Sequence, residues 1–329
     1  MRSYTLTGQE TPILQLSTAP EPFPHEGEVI VDIHAVSLNY RDLIVAGASE
    51  GGGIPTSDGA GVVSALGTNV AGLKVGDRVA IGFMPGWVEG EFSAGKQATS
   101  LGGPDVNGVL VERIAVSAAG VCQIPDSMTF EEAATLPCAG VTAWSALFER
   151  RPVQPGETVL LLGTGGVSIF ALQLAKAAGA RVIITSSSDE KLKRARALGA
   201  DHLINYREQP DWEEHVLHLT DGIGADLAVD VAGPATLNKT LKATRHGGRI
   251  SLMGVLSGFN GHIDTGSILE KRITLQGIYV GPVATLKALI KVPLKPVIDR
   301  VYAFEQAEAA FQNLRSASHF GKLVVRVAE

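Results

Sequence analysis

Two kinds of hydrophobic pattern divide the chain. Up to about residue 122, short β-rich runs such as residues 29–36 and 61–65 alternate with glycine and proline turns. Such runs, bounded by turn residues, predict an antiparallel β-domain. A glycine-rich stretch at residues 83–108 interrupts the pattern, and its length is typical of a functional loop.

The second pattern begins near residue 129. Thr129 and Glu132 have the spacing of a capping box, which predicts a helix that runs toward Trp144 and Leu147. From Pro155 onward, apolar strands alternate with amphipathic helices, as in parallel βαβ units. The predicted strands cover residues 158–162, 181–185, 202–205, 226–230, 248–252 and 273–277. We therefore expect a doubly wound, six-stranded parallel sheet, and an α/β fold class for the chain.

The last part of the chain returns to mixed patterning. We predict that residues 123–277 form the α/β domain and that residues 278–329 rejoin residues 1–122 in the β-domain. Residues 286–298 are few for the helix and the strand expected there, so the number of elements in this tail is less defined than in the α/β domain.

Composition narrows the class of protein. The chain has 329 residues, 45% of them hydrophobic and 19% charged, which suits two globular domains. The net charge of −6 comes without a basic stripe, so we expect no nucleic-acid partner. No apolar run approaches the ~20 residues of a membrane span, and the polar start lacks the layout of a signal peptide. We expect a cytoplasmic protein with no membrane partner.

A glycine-rich turn is the strongest chemical signal. Gly163, Thr164, Gly165, Gly166 and Val167 stand between an apolar strand and a predicted helix. Glycines at such a turn let the backbone approach a pyrophosphate, which then sits on the helix N-terminus. Ser168 replaces the third glycine of the usual G-x-G-x-x-G pattern, a small change at a packing position. The alternative is an ordinary strand-to-helix turn.

The end of the next strand favours NADP(H) over NAD(H). An NAD enzyme usually places an acid there to bind the ribose 2′-hydroxyl, whereas this chain has Ser186, Ser187 and Ser188, with Lys191 and Arg194 following. Hydroxyl and basic groups suit a 2′-phosphate. The alternative is that the serines cap the next helix and that the basic side chains form a solvated face.

Several stretches carry motifs that are known from other proteins: residues 36–42, 57–63, 74–79, 136–144, 163–167, 198–206 and 321–325. Together they resemble the medium-chain dehydrogenase/reductase family over essentially the whole chain. That resemblance implies a GroES-like catalytic domain, built from both chain ends, around a Rossmann domain, with the active site in the cleft between them.

The resemblance also bears on metal. In zinc enzymes of the family the metal is held at three positions that match Asn39, Ser57 and Cys138 here, so one ligand type of three remains. Catalytic zinc needs about three protein donors. Two cysteines, Cys122 and Cys138, cannot form the four-cysteine structural lobe. The sequence therefore resembles the zinc-independent, quinone-oxidoreductase-like branch, and we expect no metal site.

Site residues follow from the same resemblance. It implies that Ser187, Lys191 and Tyr206 contact the 2′-phosphate, beside Ser186, and that Thr142 contacts the nicotinamide. The ring would also be lined by backbone of the following residues: Gly254, Val255, Leu256, Tyr279 and Val280.

Without a metal, hydride transfer from NADPH relies on positioning and on hydrogen-bond donors, which favours quinones, enones and aldehydes as small-molecule acceptors. We expect Tyr40 to lie opposite the nicotinamide as the acid and Asn39 to donate to the same oxygen; the alternative for Tyr40 is a packing role. A zinc-type alcohol dehydrogenase and a non-catalytic NADPH-binding protein stay open as other functions.

Family members are commonly dimers or tetramers, so we expect a homodimer or homotetramer joined through a sheet edge of the cofactor domain.

Overall fold

A computed structural model describes residues 1–328. The strands are β1 (Arg2–Leu6), β2 (Leu14–Thr18), β3 (Glu28–Ser37), β4 (Asp58–Leu66), β5 (Arg78–Ile81), β6 (Arg113–Ser117), β7 (Val121–Gln123), β8 (Thr158–Leu161), β9 (Arg181–Ser186), β10 (His202–Asn205), β11 (Ala225–Asp230), β12 (Thr244–Leu252), β13 (Thr274–Gly277), β14 (Ile298–Ala303) and β15 (Lys322–Arg326).

Helices connect most of the later strands. They are α1 (Tyr40–Ala48), α2 (Ala94–Gln97), α3 (Phe130–Ala134), α4 (Val141–Phe148), α5 (Gly166–Ala177), α6 (Asp189–Ala197), α7 (Trp212–Leu219), α8 (Pro234–Ala243), α9 (Thr265–Lys271), α10 (Val283–Leu289) and α11 (Ala307–Ser316). A π-helical turn, Leu136–Gly140, lies between α3 and α4. None of the helices in residues 1–328 is both long enough and apolar enough to cross a membrane.

The chain forms two compact units. The second unit, Thr142–Tyr279, contains the predicted six-stranded parallel sheet, in the order β10-β9-β8-β11-β12-β13. Every residue of β8 is buried, as expected of a strand covered on both faces, and this explains its unbroken apolar sequence. The direction of winding reverses between β8 and β11. In doubly wound folds, ligands bind at the carboxyl ends of the strands beside such a reversal.

The first unit combines Met1–Val141 with the chain from Val280 onward. Its main sheet has the order β14-β15-β3-β4-β5-β7, with β6 also paired to β3, and β1 and β2 form a separate hairpin-like pair. All the pairs in this sheet are antiparallel except β14 with β15. Those two strands are parallel because α11 carries the chain back between them. The predicted β-domain is thus confirmed, with one parallel pair that the sequence pattern did not reveal.

The unit boundary differs from the predicted domain boundary. The capping box is present: Thr129 Oγ1 accepts from the Glu132 N–H at 3.1 Å, and Glu132 Oε2 accepts from the Thr129 N–H at 3.0 Å. The helix that it opens, however, packs against β3, β4 and β5. The structure therefore divides after Val141 and Tyr279, whereas the sequence placed the divisions after residues 122 and 277. The capping box located the start of the helix, but the single helix predicted to run toward Trp144 and Leu147 is divided into α3 and α4 by the π-helical turn. The sequence pattern also did not reveal the sheet against which α3 packs.

The C-terminal tail has room for both of its expected elements. The helix, α10, begins before residue 286, and β14 begins only at Ile298. The apolar core of the first unit includes Tyr302, Phe311 and Leu323 from this tail together with Val31 and Ile33 of β3. Both chain ends therefore contribute to one core, as the resemblance implied.

Candidate active site

The glycine-rich turn joins β8 to α5 in the second unit. Gly163 has φ +74°, a left-handed conformation that strongly favours glycine. Gly165 is extended, at φ −79°, and a Cβ atom placed on it would have no protein atom within 4 Å. Gly165 is also the N-cap of α5, and no side chain caps the helix there. The first-turn N–H groups of Gly166 and Val167 have no acceptor within the helix. Open space in front of free N–H groups is what a pyrophosphate requires, so these residues fit a dinucleotide.

Ser168 explains the departure from the usual glycine pattern. Its side chain is buried against β8, and its hydroxyl donates to the Leu162 carbonyl oxygen at 2.7 Å. Thr164 is also buried, and the Gly163 N–H donates to Thr185 Oγ1 at 3.3 Å. The small serine therefore keeps the close contact between helix and strand that the third glycine otherwise provides.

The three serines at the end of β9 have different surroundings. Ser186 is buried, and its Oγ accepts from the Ser188 N–H at 3.3 Å. Ser188 caps α6, because its Oγ accepts from the Lys191 N–H at 3.4 Å. Ser187 is half-buried and has no capping role. The capping alternative therefore holds for Ser188 and not for all three serines.

Tyr206 lies next to this strand end. Its N–H donates to the Ser186 carbonyl oxygen at 3.1 Å, and its side chain is 41% exposed. Asp189, the nearest acid, accepts from Asn205 Nδ2 at 2.8 Å. The structure thus brings Tyr206 to the serines through the pairing of β10 with β9, and Asn205 engages the Asp189 carboxylate.

The residues expected around the nicotinamide fall in several segments. Gly254, Val255 and Leu256 follow β12, and the Gly254 N–H donates to the Asp230 carbonyl oxygen at 3.1 Å. A Cβ on Gly254 would lie 1.8 Å from the carbonyl carbon of Val231, so packing by itself requires this glycine. Tyr279 is largely exposed, whereas Thr142 is buried.

Val280 adopts an unusual backbone conformation. Its φ is +57°, which is rare for a β-branched residue and costs energy. Such strain is often found at ligand sites, although it does not identify the ligand.

The first unit contains a polar cluster, which we call the Lys322 cluster and which is buried except for the half-buried Cys138. Its members are Asn39, Asp42, Ser57, Asp58, Cys138 and Lys322. They come from the start of α1, the start of β4, the π-helical turn and the start of β15. Lys322 Nζ donates to Asn39 Oδ1 and to the Leu38 carbonyl oxygen, both at 2.6 Å.

Asp58 is the acidic centre of the Lys322 cluster. Its Oδ1 accepts from Ser57 Oγ at 2.8 Å, and its Oδ2 accepts from the Cys138 N–H at 3.1 Å. Burial raises the pKa of the Asp58 carboxyl, while Lys322 and the Asn39 amide act in the opposite direction by stabilising the carboxylate.

Asp42 and Cys138 are also shifted. Burial raises the pKa of Asp42 to about 7, although Arg41 and the hydrogen bond from the Asn39 N–H, at 2.8 Å, oppose the shift. Burial, and then the nearby Asp58, raise the pKa of the Cys138 thiol far above its ordinary value. Cys138 is therefore a neutral thiol at physiological pH, which makes it a weak nucleophile.

The two catalytic candidates are adjacent but differently placed. Tyr40, the first residue of α1, is 41% exposed, so its phenol is accessible. Asn39 is 8% exposed; its Oδ1 is held by Lys322, and its Nδ2 is inaccessible to solvent and makes no hydrogen bond of normal geometry. The structure therefore offers Tyr40 to a ligand and holds the Asn39 amide inside the unit.

The loop at residues 83–108 is connected to α1 by Arg41. Arg41 Nη1 donates to the Leu101 carbonyl oxygen at 2.8 Å, and its guanidinium lies 4.6 Å from the centre of the Phe83 ring. The loop contains the short helix α2 and otherwise has no regular structure. Arg41 thus links the first residue of this segment and Leu101 within it to the helix that begins with Tyr40.

The donor set does not fit a catalytic zinc ion. Ser57 donates to Asp58, and the Asn39 oxygen is engaged by Lys322, so neither side chain directs a free donor atom to a metal. Within the described part of the chain, no three His, Cys, Asp or Glu side chains are grouped so that they could hold a metal ion.

Two members of the Lys322 cluster were not identified from the sequence. Lys322 follows Gly321 and opens a strand that is buried up to its last residue, and Asp58 opens a strand of small apolar residues. A charged residue that opens a mostly apolar strand is the signal that each one carries, but the sequence does not show that the two residues lie close together.

The comparisons with known proteins identify relatives that match most of the chain. Residues 25–126 match the family model described as alcohol dehydrogenase GroES-like domain, and residues 166–293 match the one described as zinc-binding dehydrogenase. A zinc-type alcohol dehydrogenase-like protein of Schizosaccharomyces pombe is 38% identical over 316 residues, which cover 92% of this chain and 91% of the relative.

Solved structures are similar over the full length. A candidate alcohol dehydrogenase from Sinorhizobium meliloti 1021 is 42% identical, with a TM-score of 0.90 and coverage of 99% and 100% of the two chains. An NAD-dependent alcohol dehydrogenase is 34% identical, with a TM-score of 0.89 and full coverage of both chains. The quinone oxidoreductase from Coxiella burnetii is 25% identical, with a TM-score of 0.82 and coverage of 100% and 99%.

Proposed function

Since the chain belongs to the medium-chain dehydrogenase/reductase superfamily and is an oxidoreductase of that kind, we propose that it is a zinc-independent enzyme that transfers hydride from NADPH to a quinone, an enone or an aldehyde. The observation that carries the proposal is the Lys322 cluster. The positions that the resemblance matches to zinc ligands hold the Asn39 amide, the Ser57 hydroxyl and the Cys138 thiol, and the Asn39 oxygen accepts from the Lys322 ammonium. The acceptor is then activated by hydrogen bonding alone.

The second unit supports NADPH as the cofactor. The turn from Gly163 to Val167 offers the pyrophosphate free N–H groups. Ser187 follows β9, Lys191 lies in the first turn of α6 and Tyr206 follows β10, and we assign these three residues to the 2′-phosphate of NADPH. No carboxylate ends β9, so nothing at that position repels the phosphate. When bound, the cofactor supplies the hydride.

Tyr40 supplies the proton in this proposal. Quinones and enones spread the negative charge that develops on hydride addition, so a single phenol donor is sufficient. The Tyr40 phenol donates to the acceptor oxygen, and its exposed position lets it recover the proton from water. The Asn39 amide is buried inside the first unit, so Asn39 acts indirectly, by holding the segment that carries Tyr40.

Steady-state assays of the purified protein test the proposal. We expect NADPH to bind at least about tenfold more tightly than NADH, which corresponds to about 1.4 kcal/mol. Oxidation of NADPH should be observed with at least one member of a panel of quinones, enones and aldehydes. Equal affinities would remove the cofactor assignment, and saturable NADPH binding without turnover of any acceptor would favour the non-catalytic alternative.

A zinc-type alcohol dehydrogenase is the second candidate, and the name of the 38% identical relative favours it. The two differ in metal content. We expect well under one zinc per chain in freshly purified protein, and activity that a chelator leaves unchanged. Stoichiometric zinc, together with loss of activity on chelation, would establish the second candidate instead.

The assembly and the compartment belong to the proposal as well. β13 is an edge strand of the parallel sheet with partly exposed residues, so it can pair with another copy of itself in a homodimer or within a homotetramer. A monomeric mass by light scattering would refute this. The compartment is a separate part of the proposal. The two cysteines are free thiols, which suits a reducing compartment, and we propose the cytoplasm. Cell fractionation would test this.

A further inference from the structure

Lys322 is a buried cation with neutral partners. It is 3% exposed, and the two acceptors of its ammonium group are the Leu38 carbonyl oxygen and Asn39 Oδ1, each at 2.6 Å. Both acceptors lie in two consecutive residues of the segment that leads into α1. A single ammonium thus holds the backbone of one residue and the side chain of the next.

The burial of the Lys322 ammonium does not by itself stabilise the folded protein. Removing an ammonium from water is costly, and well-packed apolar residues often stabilise a protein as much as buried ion pairs do. Asp58 compensates part of the cost because it interacts electrostatically with Lys322. The chain therefore keeps two charges in its interior where an apolar side chain at the start of β15 would suffice for packing.

Lys322 holds Leu38 and Asn39, the two residues that precede Tyr40 in the chain. The Leu38 N–H donates to the Leu323 carbonyl oxygen at 3.0 Å, so β15 secures this residue through both its backbone groups. From the other side, Asp42 Oδ2 accepts from the Asn39 N–H at 2.8 Å. Tyr40 follows directly, as the first residue of α1, with its ring exposed.

We propose that Lys322 is a positioning residue for hydride transfer: by holding the Leu38 carbonyl and the Asn39 amide, it fixes the direction in which Tyr40 presents its phenol to the acceptor. This inference rests on the proposed function of Tyr40. Asp58 serves in it as the counter-charge that makes a buried ammonium tolerable at this point.

A double-mutant cycle tests the inference. Lys322→Met keeps the length of the side chain and removes its charge and donors, and Tyr40→Phe removes only the phenol hydroxyl. With an aldehyde or enone acceptor, we expect Lys322→Met to lower kcat about tenfold to hundredfold in the wild-type background and less than about threefold in the Tyr40→Phe background. The KM for NADPH should stay unchanged, and Lys322→Arg should recover part of kcat.

Equal losses in both backgrounds, or no loss in either, would overturn the inference. Lys322→Met leaves Asp58 buried without its counter-charge, so the variant can fail to fold. The pair Lys322→Met with Asp58→Asn removes both charges and is compared with Asp58→Asn alone. When Asp58→Asn is present in all the proteins compared, Lys322→Met should again lower kcat much more with Tyr40 present than in the Tyr40→Phe background. Thermal unfolding shows whether each variant is folded.

A measurement without turnover separates this inference from the proposed function. The chain has five tyrosines, so ring-labelled tyrosine gives few NMR signals, and the one missing in Tyr40→Phe belongs to Tyr40. We expect Lys322→Met to move or broaden that signal and to leave the signal of Tyr206, in the other unit, unchanged. An unchanged Tyr40 signal would overturn the positioning role. If the wild type reduces no acceptor, the proposed function fails while this result still stands.

Discussion

The two regions that we assign to the reaction are built in opposite ways. The turn between β8 and α5 presents backbone N–H groups, and the residues that form it are consecutive from Gly163 to Val167. The Lys322 cluster is made of side chains that lie as far apart in the chain as Asn39 and Lys322. The first region recognises groups that every dinucleotide carries. The second depends on which side chains are present and on how each is charged.

The difference has consequences for what a substitution does. At Gly165 in the turn, a change acts mainly by filling space or by adding charge, because no protein atom lies near its Cβ position. In the Lys322 cluster, each side chain is also a partner of another buried group, so a change alters stability as well as chemistry.

The largest effect is expected at Gly165. Because a Cβ there meets no protein atom within 4 Å and the backbone is extended, Gly165→Val should fold normally. Its side chain would occupy the space in front of the α5 N-terminus, so NADPH affinity should fall by about a hundredfold or more, equivalent to about 3 kcal/mol. Fluorescence titration with NADPH measures this.

The matched control is Gly47→Val, at a glycine in the first unit where a Cβ also meets open space. It should bind NADPH as the wild type does. Normal NADPH affinity in Gly165→Val would show that the pyrophosphate lies elsewhere and would remove the assignment of this turn.

The next effect concerns Tyr40. Tyr40→Phe keeps the ring, so NADPH affinity and thermal stability should hardly change, while turnover of an enone or aldehyde should fall by about a hundredfold, the lower end for a lost general acid. A quinone should be affected less, since its reduced form is the most acidic product. Steady-state kinetics with both classes of acceptor measure this.

Tyr302→Phe is the control for Tyr40→Phe, because the Tyr302 hydroxyl is bonded to Asn313 Nδ2 and has no part in the proposed site. It should alter stability and leave turnover intact. If Tyr40→Phe reduces every acceptor at the wild-type rate, Tyr40 has only a packing role.

Cofactor preference should change more modestly. Ser187→Asp places a carboxylate beside the 2′-phosphate, and the repulsion should invert a preference of about tenfold for NADPH. Ser187→Ala removes the hydroxyl without adding charge, and should therefore weaken NADPH binding less than Ser187→Asp does. Dissociation constants of both cofactors measure the ratio, and a ratio that Ser187→Asp leaves unchanged would contradict the role of this strand end.

The contrast also explains how far the sequence could predict the molecule. The six-stranded sheet and the glycine turn follow from local patterns, because strand and helix periods and glycine positions act over a few residues. Thr129 and Glu132 likewise predicted the start of α3. Such features need no knowledge of distant contacts.

The Lys322 cluster is formed by contacts between residues that lie far apart in the sequence. The spacing of Asn39 and Tyr40 from Asp42 identified one segment, but the partner of Asn39 is decided by the pairing of β15 with β3, which no local pattern contains. The same limit applies to the division between the units, since α3 packs on a sheet formed much earlier in the chain. It also applies to the direction of the Asn39 amide, which the sequence placed toward an acceptor and the structure holds inside.

The smallest expected effect is a dependence of stability on pH that arises from Asp42 of the Lys322 cluster and has no counterpart in the glycine-rich turn. The Asp42 carboxyl is fully buried, its Oδ1 has no hydrogen-bond partner, and burial raises its pKa to about 7 from 3.8. Arg41 and Lys322 lower that pKa, and Asp58 raises it. A pKa that is higher in the folded than in the unfolded state means that folding favours the protonated form. Its contribution is then complete below the unfolded pKa and is lost as the pH rises through the folded one.

Wild type should therefore lose stability relative to Asp42→Asn between pH 6 and pH 8, by about 1 kcal/mol in the free energy of unfolding. Asparagine keeps the oxygen that accepts from the Asn39 N–H and does not ionise, so the capping interaction survives in the variant. Urea unfolding of both proteins at the two pH values measures the difference, and groups that titrate equally in both proteins, such as the half-buried His34, cancel. Parallel pH profiles would mean that Asp42 stays ionised in the folded protein, and that the charges of Arg41 and Lys322 outweigh its burial.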